Sequence, residues 1–192
     1  MTKSELRKIY LEKRRSLSVE EVAERSRKIA DRFFESFDLS KVKTLHCFIP
    51  IAKFNELDTS LIYKKIWTDF RAVKTLAPRI NVETSEMESL IFGPETQLVE
   101  NEWGIPEPLG GESIRCATFD VVLMPLLCFD KHGHRVGYGK GFYDKFLANC
   151  RPDCMKIGLS YFSPVKSIDD IGGHDVALDA CVSPDNTYFF KE

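Results

Sequence analysis

The chain has 192 residues, of which 43% are hydrophobic and 29% charged, and its net charge is −2. That is ordinary composition for one α/β domain over residues 1–192, and it excludes collagen, coiled coil and wholesale disorder. The longest uncharged apolar stretch, Val121 to Phe129, is less than half of what a bilayer needs, so neither a transmembrane helix nor a membrane partner is expected.

The N-terminus reads as two helices. Thr2-Lys3-Ser4-Glu5 and Ser18-Val19-Glu20-Glu21 both have capping-box spacing. After the second box, Val22, Ile29, Ala30, Phe33 and Phe37 recur at helical spacing, a stripe suited to packing on a sheet. Residues 1–28 hold nine Lys/Arg and five Glu, a local +4 that leaves −6 for the rest. This asymmetry suits a small polyanion better than nucleic acid. The six cysteines come with no secretory apolar region, so a cytoplasmic location and free, buried thiols are expected. Glu5 and Glu12 argue against an Arg-rich transit peptide.

Thr44 to Ile49 reads as a buried strand ending at Pro50, and Asp58 as the cap of a helix running to about Phe70. Val73 to Ala77, stopped by Pro78, and Met87 to Phe92, stopped by Gly93-Pro94, are further strands. Gly93 to Gly111 is rich in Pro and Gly and is expected to be a long surface connection. Phe119 to Leu127 is continuously apolar, as a central parallel strand would be. A helix is expected from Phe142 to Asn149, and strands over Met155 to Ser160, Ala177 to Val182 and Thr187 to Phe190. Alternation of strands and helices implies a mostly parallel sheet covered on both faces.

The most informative segment runs from Phe129 to Asp144, FDKHGHRVGYGKGFYD. Gly137, Gly139 and Gly141 alternate between a buried strand and a helix start. Without Cβ atoms such a loop can turn successive N–H groups toward one anion. Arg135 and Lys140 add cations, and Asp144 can complement the helix or hold a metal cation. The pattern is neither a Walker A loop nor a dinucleotide GxGxxG, because Phe142 stands where the third glycine would be. Cys128, His132 and His134 match no common structural zinc spacing.

The segment MPLLCFDKHGHRVGYGKGFYDKFL resembles the signature of the 5-formyltetrahydrofolate cyclo-ligase family. Lys3-Ser4-Glu5-Leu6-Arg7 is similar to that family's basic N-terminal ATP segment. Asn55-Glu56-Leu57-Asp58-Thr59 resembles its Glu-x-x-Thr element, Trp103 to Pro108 its Gly-Ile-x-Glu-Pro element, and His174 to Asp179 its C-terminal His-Asp segment. The resemblance implies a three-layer α/β/α scaffold similar to the sugar-phosphate isomerase and CoA-transferase type. It also implies ATP- and Mg²⁺-dependent conversion of 5-formyltetrahydrofolate to 5,10-methenyltetrahydrofolate by a monomer whose partners are a reduced folate and ATP.

Carried over by position, the resemblance gives Lys3, Ser4, Glu5, Leu6 and Arg7, with Arg135, Val136, Gly137, Tyr138, Gly139, Lys140, Gly141, Phe142 and Tyr143, to ATP. Arg135, Lys140 and Tyr143 are the catalytic candidates. Ile51, Glu56, Trp103, Tyr138, Gly139, Lys140, Gly141 and Phe142 would contact the folate, and Asp144 and Asp175 would bind Mg²⁺. The chain departs from the common family pattern in Lys140, where many members have Gly, in Phe142, where Tyr is usual, and in a missing Gln over Ser160 to Val165. Two other readings of the same loop are a non-enzymatic folate or nucleotide module and a sugar-phosphate isomerase.

Overall fold

The computed structural model describes residues 1–81, 83–84 and 86–190. Both N-terminal helices carry the capping box that their sequences encode. In α1 (Lys3–Arg15) Glu5 N–H donates to Thr2 Oγ1 at 3.3 Å, and Thr2 N–H donates back to Glu5 Oε2 at 2.8 Å. In α2 (Val19–Ser36) the reciprocal pair joins Ser18 and Glu21, at 3.2 and 2.9 Å. Each box satisfies orphan donors of a first helical turn.

The sheet is built from β1 (Thr44–His46), β2 (Lys74–Asn81), β3 (Glu86–Ile91), β6 (Val121–Pro125), β9 (Met155–Leu159), β10 (Ala180–Val182) and β11 (Thr187–Phe189). Its order is β11-β10-β9-β6-β1-β2-β3. The five inner strands are parallel, and the two edges pair antiparallel. The helix α3 (Ser60–Asp69) makes the crossover from β1 to β2, and Asp58 Oδ1 accepts from Ser60 N–H at its start, at 3.0 Å.

The continuous apolar run of β6 is explained by burial on both faces. Val121 and Leu123 join α2 and α3 in one core with Ile29, Phe33, Leu45, Ile62 and Ile66. Val122 and Met124 point to the other core, with Phe119, Phe146, Leu147 and Leu178. In α2, Ile29, Ala30 and Phe33 are buried, while Val22 and Phe37 pack at the margin. His46 lies in the second layer, its Nδ1 3.0 Å from Ser89 Oγ, and burial pushes it down to about 3. It therefore stays neutral at ordinary pH.

Several elements differ from the sequence-based expectation, and β1 ends at His46 rather than Ile49. The strand β2 runs through Pro78 instead of stopping there. Leu76 O is the last acceptor toward β1, taking Cys47 N–H at 2.8 Å, and the register with β1 ends at Leu76. Pro78 sits opposite Ser89, whose carbonyl accepts from Ile114 on the far side of β3. Pro78 is thus at a non-hydrogen-bonded position, where no ladder donor is needed. The 93–111 connection is not all loop but contains a hairpin of β4 (Leu98–Glu100) and β5 (Pro106–Pro108). The helix α4 covers only Phe142–Leu147, because Asn149 and Cys150 N–H groups tighten onto the carbonyls three residues back. The strand β10 begins at Ala180, not Ala177, because Val176 and Leu178 bond instead to the glycine-loop region.

From β1 the sheet grows one way through β2 and β3, then the other way through β6, β9 and β10. The carboxyl ends of β1 and β6 therefore flank a topological switch point, where open α/β sheets bind ligands.

Candidate active site

A cavity of about 530 Å³ opens at that switch point, with Phe48, Ile49 and Pro125 as its base. The glycine loop forms one wall. It is launched by a hairpin the sequence did not announce, β7 (Cys128–Phe129) with β8 (Arg135–Val136). Asp130 Oδ1 accepts from the N–H groups of His132 and His134, at 2.9 and 3.0 Å, and shapes the hairpin turn. His134 Nδ1 lies 3.2 Å from Asp130 Oδ2, and Cys128 is buried in the small core beneath. These three residues build the turn rather than face the cavity. Past the hairpin, Gly139 has φ +91°, and a Cβ there would sit 3.1 Å from the Arg7 guanidinium. Gly141, at φ +72°, starts α4 in the left-handed region.

Charged side chains cluster at this end. Arg7 Nε donates to Gly137 O at 2.9 Å. Arg135 pairs with Asp144 at 2.8 Å and also donates to the Val176 carbonyl. Lys3 pairs with Asp175, which also accepts from Gly172 N–H at 2.6 Å. Burial lowers the Arg135 pKa, and the charge of Asp144 opposes that shift. For Asp175 burial acts upward, yet the bonds from Lys3 and Gly172 and the charges of Lys3 and Arg135 together hold it below the usual range. Lys140 Nζ lies 5.8 Å from the Trp103 ring centroid.

The opposite end is apolar around one buried acid. Glu56 is 6% exposed. Its Oε2 accepts from Ile51 N–H at 2.8 Å, and its Oε1 accepts from the Tyr138 hydroxyl. Burial raises its pKa, while the Tyr138 bond, the Ile51 bond and the Arg14 charge act in the other direction. Phe54 lies 6.1 Å from Tyr138, and Trp103 5.9 Å from Phe142, ring centroid to centroid. Trp103 reaches the site because Asn101 Oδ1 accepts from its N–H at 2.9 Å and buried Glu107 bonds both Asn101 and Ile80 N–H. The β4–β5 hairpin is thereby fastened to β2. Tyr143 lies with its hydroxyl 3.4 Å from His46 Nε2, and burial raises its pKa.

The cavity wall brings together Lys3, Arg7, Ile51, Glu56, Trp103, Arg135, Gly137 through Asp144, and Asp175. Four of the residues given to ATP by resemblance are not on it. Leu6 and Val136 are buried in the core between α1 and the hairpin, Glu5 is committed to the Thr2 cap, and Ser4 is exposed on α1. Leu6 and Val136 seat α1 against the hairpin that launches the loop. Sequence reasoning missed Phe54, Ile80, Met87 and Ile105, which also line the cavity. Ile80 and Met87 are a cross-strand pair of β2 and β3, so alternation along that hairpin was the available signal.

Among the described residues no group of three or more His, Cys, Asp or Glu is arranged to hold a metal. Mg²⁺, however, commonly needs only one or two protein carboxylates beside phosphates and water. Asp144 spends Oδ1 on both of its hydrogen bonds, and Asp175 spends Oδ2 on both of its own. One oxygen of each has no hydrogen-bond partner among the described residues, and both residues line the same cavity wall. That donor set fits a hard cation accompanying a polyphosphate.

Fold and site together define an α/β enzyme with a cation-lined glycine loop and an apolar, acid-centred wall at one switch-point cleft. A sequence model of the 5-formyltetrahydrofolate cyclo-ligase family matches residues 1–184, and the chain belongs to that family of ligases. It is 26% identical over 182 residues to the 5-formyltetrahydrofolate cyclo-ligase of Escherichia coli K12, covering 92% of this chain and 97% of that protein. The mouse cyclo-ligase is 24% identical over 186 residues, covering 90% and 88%. The structure of Aquifex aeolicus 5,10-methenyltetrahydrofolate synthetase superposes with a TM-score of 0.84 at 28% identity, over 100% of this chain and 94% of that one. The Mycoplasma pneumoniae synthetase gives 0.75 at 25% identity, over 96% and 99%. Among the described residues no helix is long and apolar enough to cross a membrane.

Proposed function

We propose that this chain converts 5-formyltetrahydrofolate to 5,10-methenyltetrahydrofolate, using ATP with Mg²⁺. The observation that carries the reading is one cleft with two unlike ends, a glycine loop ringed by Lys3, Arg7, Arg135 and Lys140, and a buried Glu56 among aromatic and aliphatic walls. A nucleotide polyphosphate suits the first end, and a flat heterocycle with N–H donors suits the second.

The chemistry needs both ends at once. A formamide oxygen is a poor leaving group. Its attack on the γ-phosphorus forms a C–O–P link, breaks the bridging P–O bond and releases ADP. N10 then attacks the formyl carbon, phosphate departs with the C–O electron pair, and the N10 proton leaves to solvent. Phosphoryl transfer is mostly positioning and charge stabilisation, so no covalent nucleophile is required of the protein. Arg135, fixed by Asp144 and the Val176 carbonyl, and Lys140 on the loop tip would stabilise charge on the transferring group. Lys3 and Arg7 would hold the nucleotide phosphates, Arg7 being already fixed on the loop backbone. Asp144 and Asp175 would hold Mg²⁺, which supplies neutralisation of polyphosphate charge. Glu56 would accept from the pterin N–H groups, with Ile51, Trp103, Tyr138 and Phe142 as walls. Tyr143 would close the cleft beside the reacting formyl group.

The test is to mix the purified protein with 5-formyltetrahydrofolate and MgATP and follow the near-ultraviolet absorbance of the methenyl product, with a no-ATP control. An ATP-dependent rise is expected. A rise without ATP, or none in protein that binds both compounds, would overturn the reading.

A further inference from the structure

Arg14 is 4% exposed, yet it is a cation without a carboxylate in direct contact among the described residues. Burying a guanidinium in a wall of Phe48, Leu57 and Leu127 is costly unless it is well bonded. Its guanidinium donates to the Tyr138 hydroxyl and lies 5.1 Å from that ring's centroid. Tyr138 in turn donates to Glu56. The main chain closes the same circuit, because Asn55 Nδ2, next to Glu56, donates to the carbonyls of Arg14 and Leu17, both at 3.2 Å. Asn55 takes the left-handed φ of 50° to do so. Arg14 Nε is buried with no hydrogen-bond partner among the described residues, and Arg14 and Glu56 share a cavity of about 10 Å³, the size of one water.

The spacing on α1 explains how a residue so far from the phosphate end belongs to the site. Lys3, Arg7 and Arg14 recur at four and seven residues, one face of a helix. Lys3 meets Asp175, Arg7 meets the Gly137 carbonyl and Arg14 meets Tyr138. One helix face thus meets the loop and its neighbour at three successive points, and the last reaches the folate end.

We propose that Arg14 is a positioning residue for the folate: through Tyr138 it holds the Glu56 carboxylate in place to receive the N–H groups of the heterocycle. The inference rests on the folate reading given above. A charge role follows from the same geometry. Among the described residues Arg14 is the one cation whose charge acts on Glu56, the other titratable groups facing it being Tyr138 of the loop, Tyr143 of α4 and Tyr161 after β9. Removing the cation leaves burial to raise Glu56 further, so the acid takes up its proton at a higher pH.

The experiment compares wild type, Arg14→Met, Arg14→Lys and Glu56→Gln. It measures steady-state constants for 5-formyltetrahydrofolate and for ATP, and folate dissociation constants against pH, with melting curves to establish that each variant is folded. Arg14→Met is expected to raise KM for the folate about tenfold, with kcat and KM for ATP changed less than about threefold. Its folate affinity should begin to fall at a higher pH than that of wild type, and Arg14→Lys should move that limb back. In a Glu56→Gln background, Arg14→Met should add no further pH effect. The inference is overturned by an unmoved pH limb, or by equal loss for ATP and folate, while Glu56→Gln alone still weakens the folate. If Glu56→Gln leaves folate binding unchanged, the placement of the folate fails, and this inference falls with it. Should Arg14→Met not fold, Arg14→Gln, which keeps hydrogen-bond donors but drops the charge, carries the test: its limb should move to higher pH, and an unmoved limb overturns the inference.

Discussion

The two ends of the cleft are organised by opposite electrostatic rules. At the glycine-loop end the cations stand beside acids at close range, Lys3 with Asp175 and Arg135 with Asp144. A polyanion entering there meets charges already desolvated and fixed, and the acids keep one oxygen each for a hard cation. At the Glu56 end a single acid is sunk among apolar groups, and its direct bonds come from a hydroxyl and a backbone N–H rather than from a cation. The first arrangement suits charge that develops during reaction, the second suits discrimination of a neutral heterocycle. Defects at the loop end should therefore appear mainly in turnover, and defects at the Glu56 end mainly in binding.

The sharpest way to break that contrast is Lys140→Ala. Among the described residues its charge has no carboxylate partner, and the variant is expected to lose about 10²–10³ in kcat with folate affinity nearly kept. Equal losses in both would erase the distinction. Next comes Glu56→Gln, for which folate dissociation measurements should show weakening of about tenfold at neutral pH. The wild-type affinity should fall as pH drops through the raised Glu56 value, since the charged form is the acceptor, and the Gln variant should lack that limb. Asp144→Asn tests the cation role at the charged end. It should raise the Mg²⁺ concentration giving half-maximal rate by several-fold, about the effect of losing one ligand oxygen; an unaltered titration would remove Asp144 from the metal. The smallest effects belong to the caps. Thr2→Ala and Ser18→Ala should each cost about 1 kcal/mol, a fall in melting temperature of about 2–4 °C for a chain of this size. Only Thr2→Ala, on the helix that carries Lys3 and Arg7, should also raise KM for ATP.

The charged end was legible because its residues are contiguous. Arg135 to Asp144 is one stretch of sequence, and Lys3 and Arg7 share one helical face four residues apart. Arg14 was legible in principle by the same spacing, but a cation seven residues further along α1 reads as solvated until Tyr138 is seen above it. At the apolar end the family resemblance supplied Ile51, Glu56, Trp103, Tyr138 and Phe142, but the remaining aliphatic wall was not legible. Ile80 comes from a strand expected to stop at Pro78, Met87 is its cross-strand partner on β3, and Ile105 comes from a hairpin expected to be loop. Trp103 is in place because Glu107 and Asn101 tie that hairpin to β2, a pairing that no local pattern announces.

The amino-acid sequence by itself determined the two capped helices, the strand and helix alternation, the buried run of β6 and the glycine loop with its cations. All of these depend on contacts within a few residues or on a period that matches one element. Only the tertiary structure decided where Glu56 meets Tyr138 and Arg14, that Leu6 and Val136 face the core rather than the cleft, and which side chains wall the apolar end. Those outcomes depend on strand order at the switch point and on which face each element buries, and both are set by long-range packing rather than by local spacing.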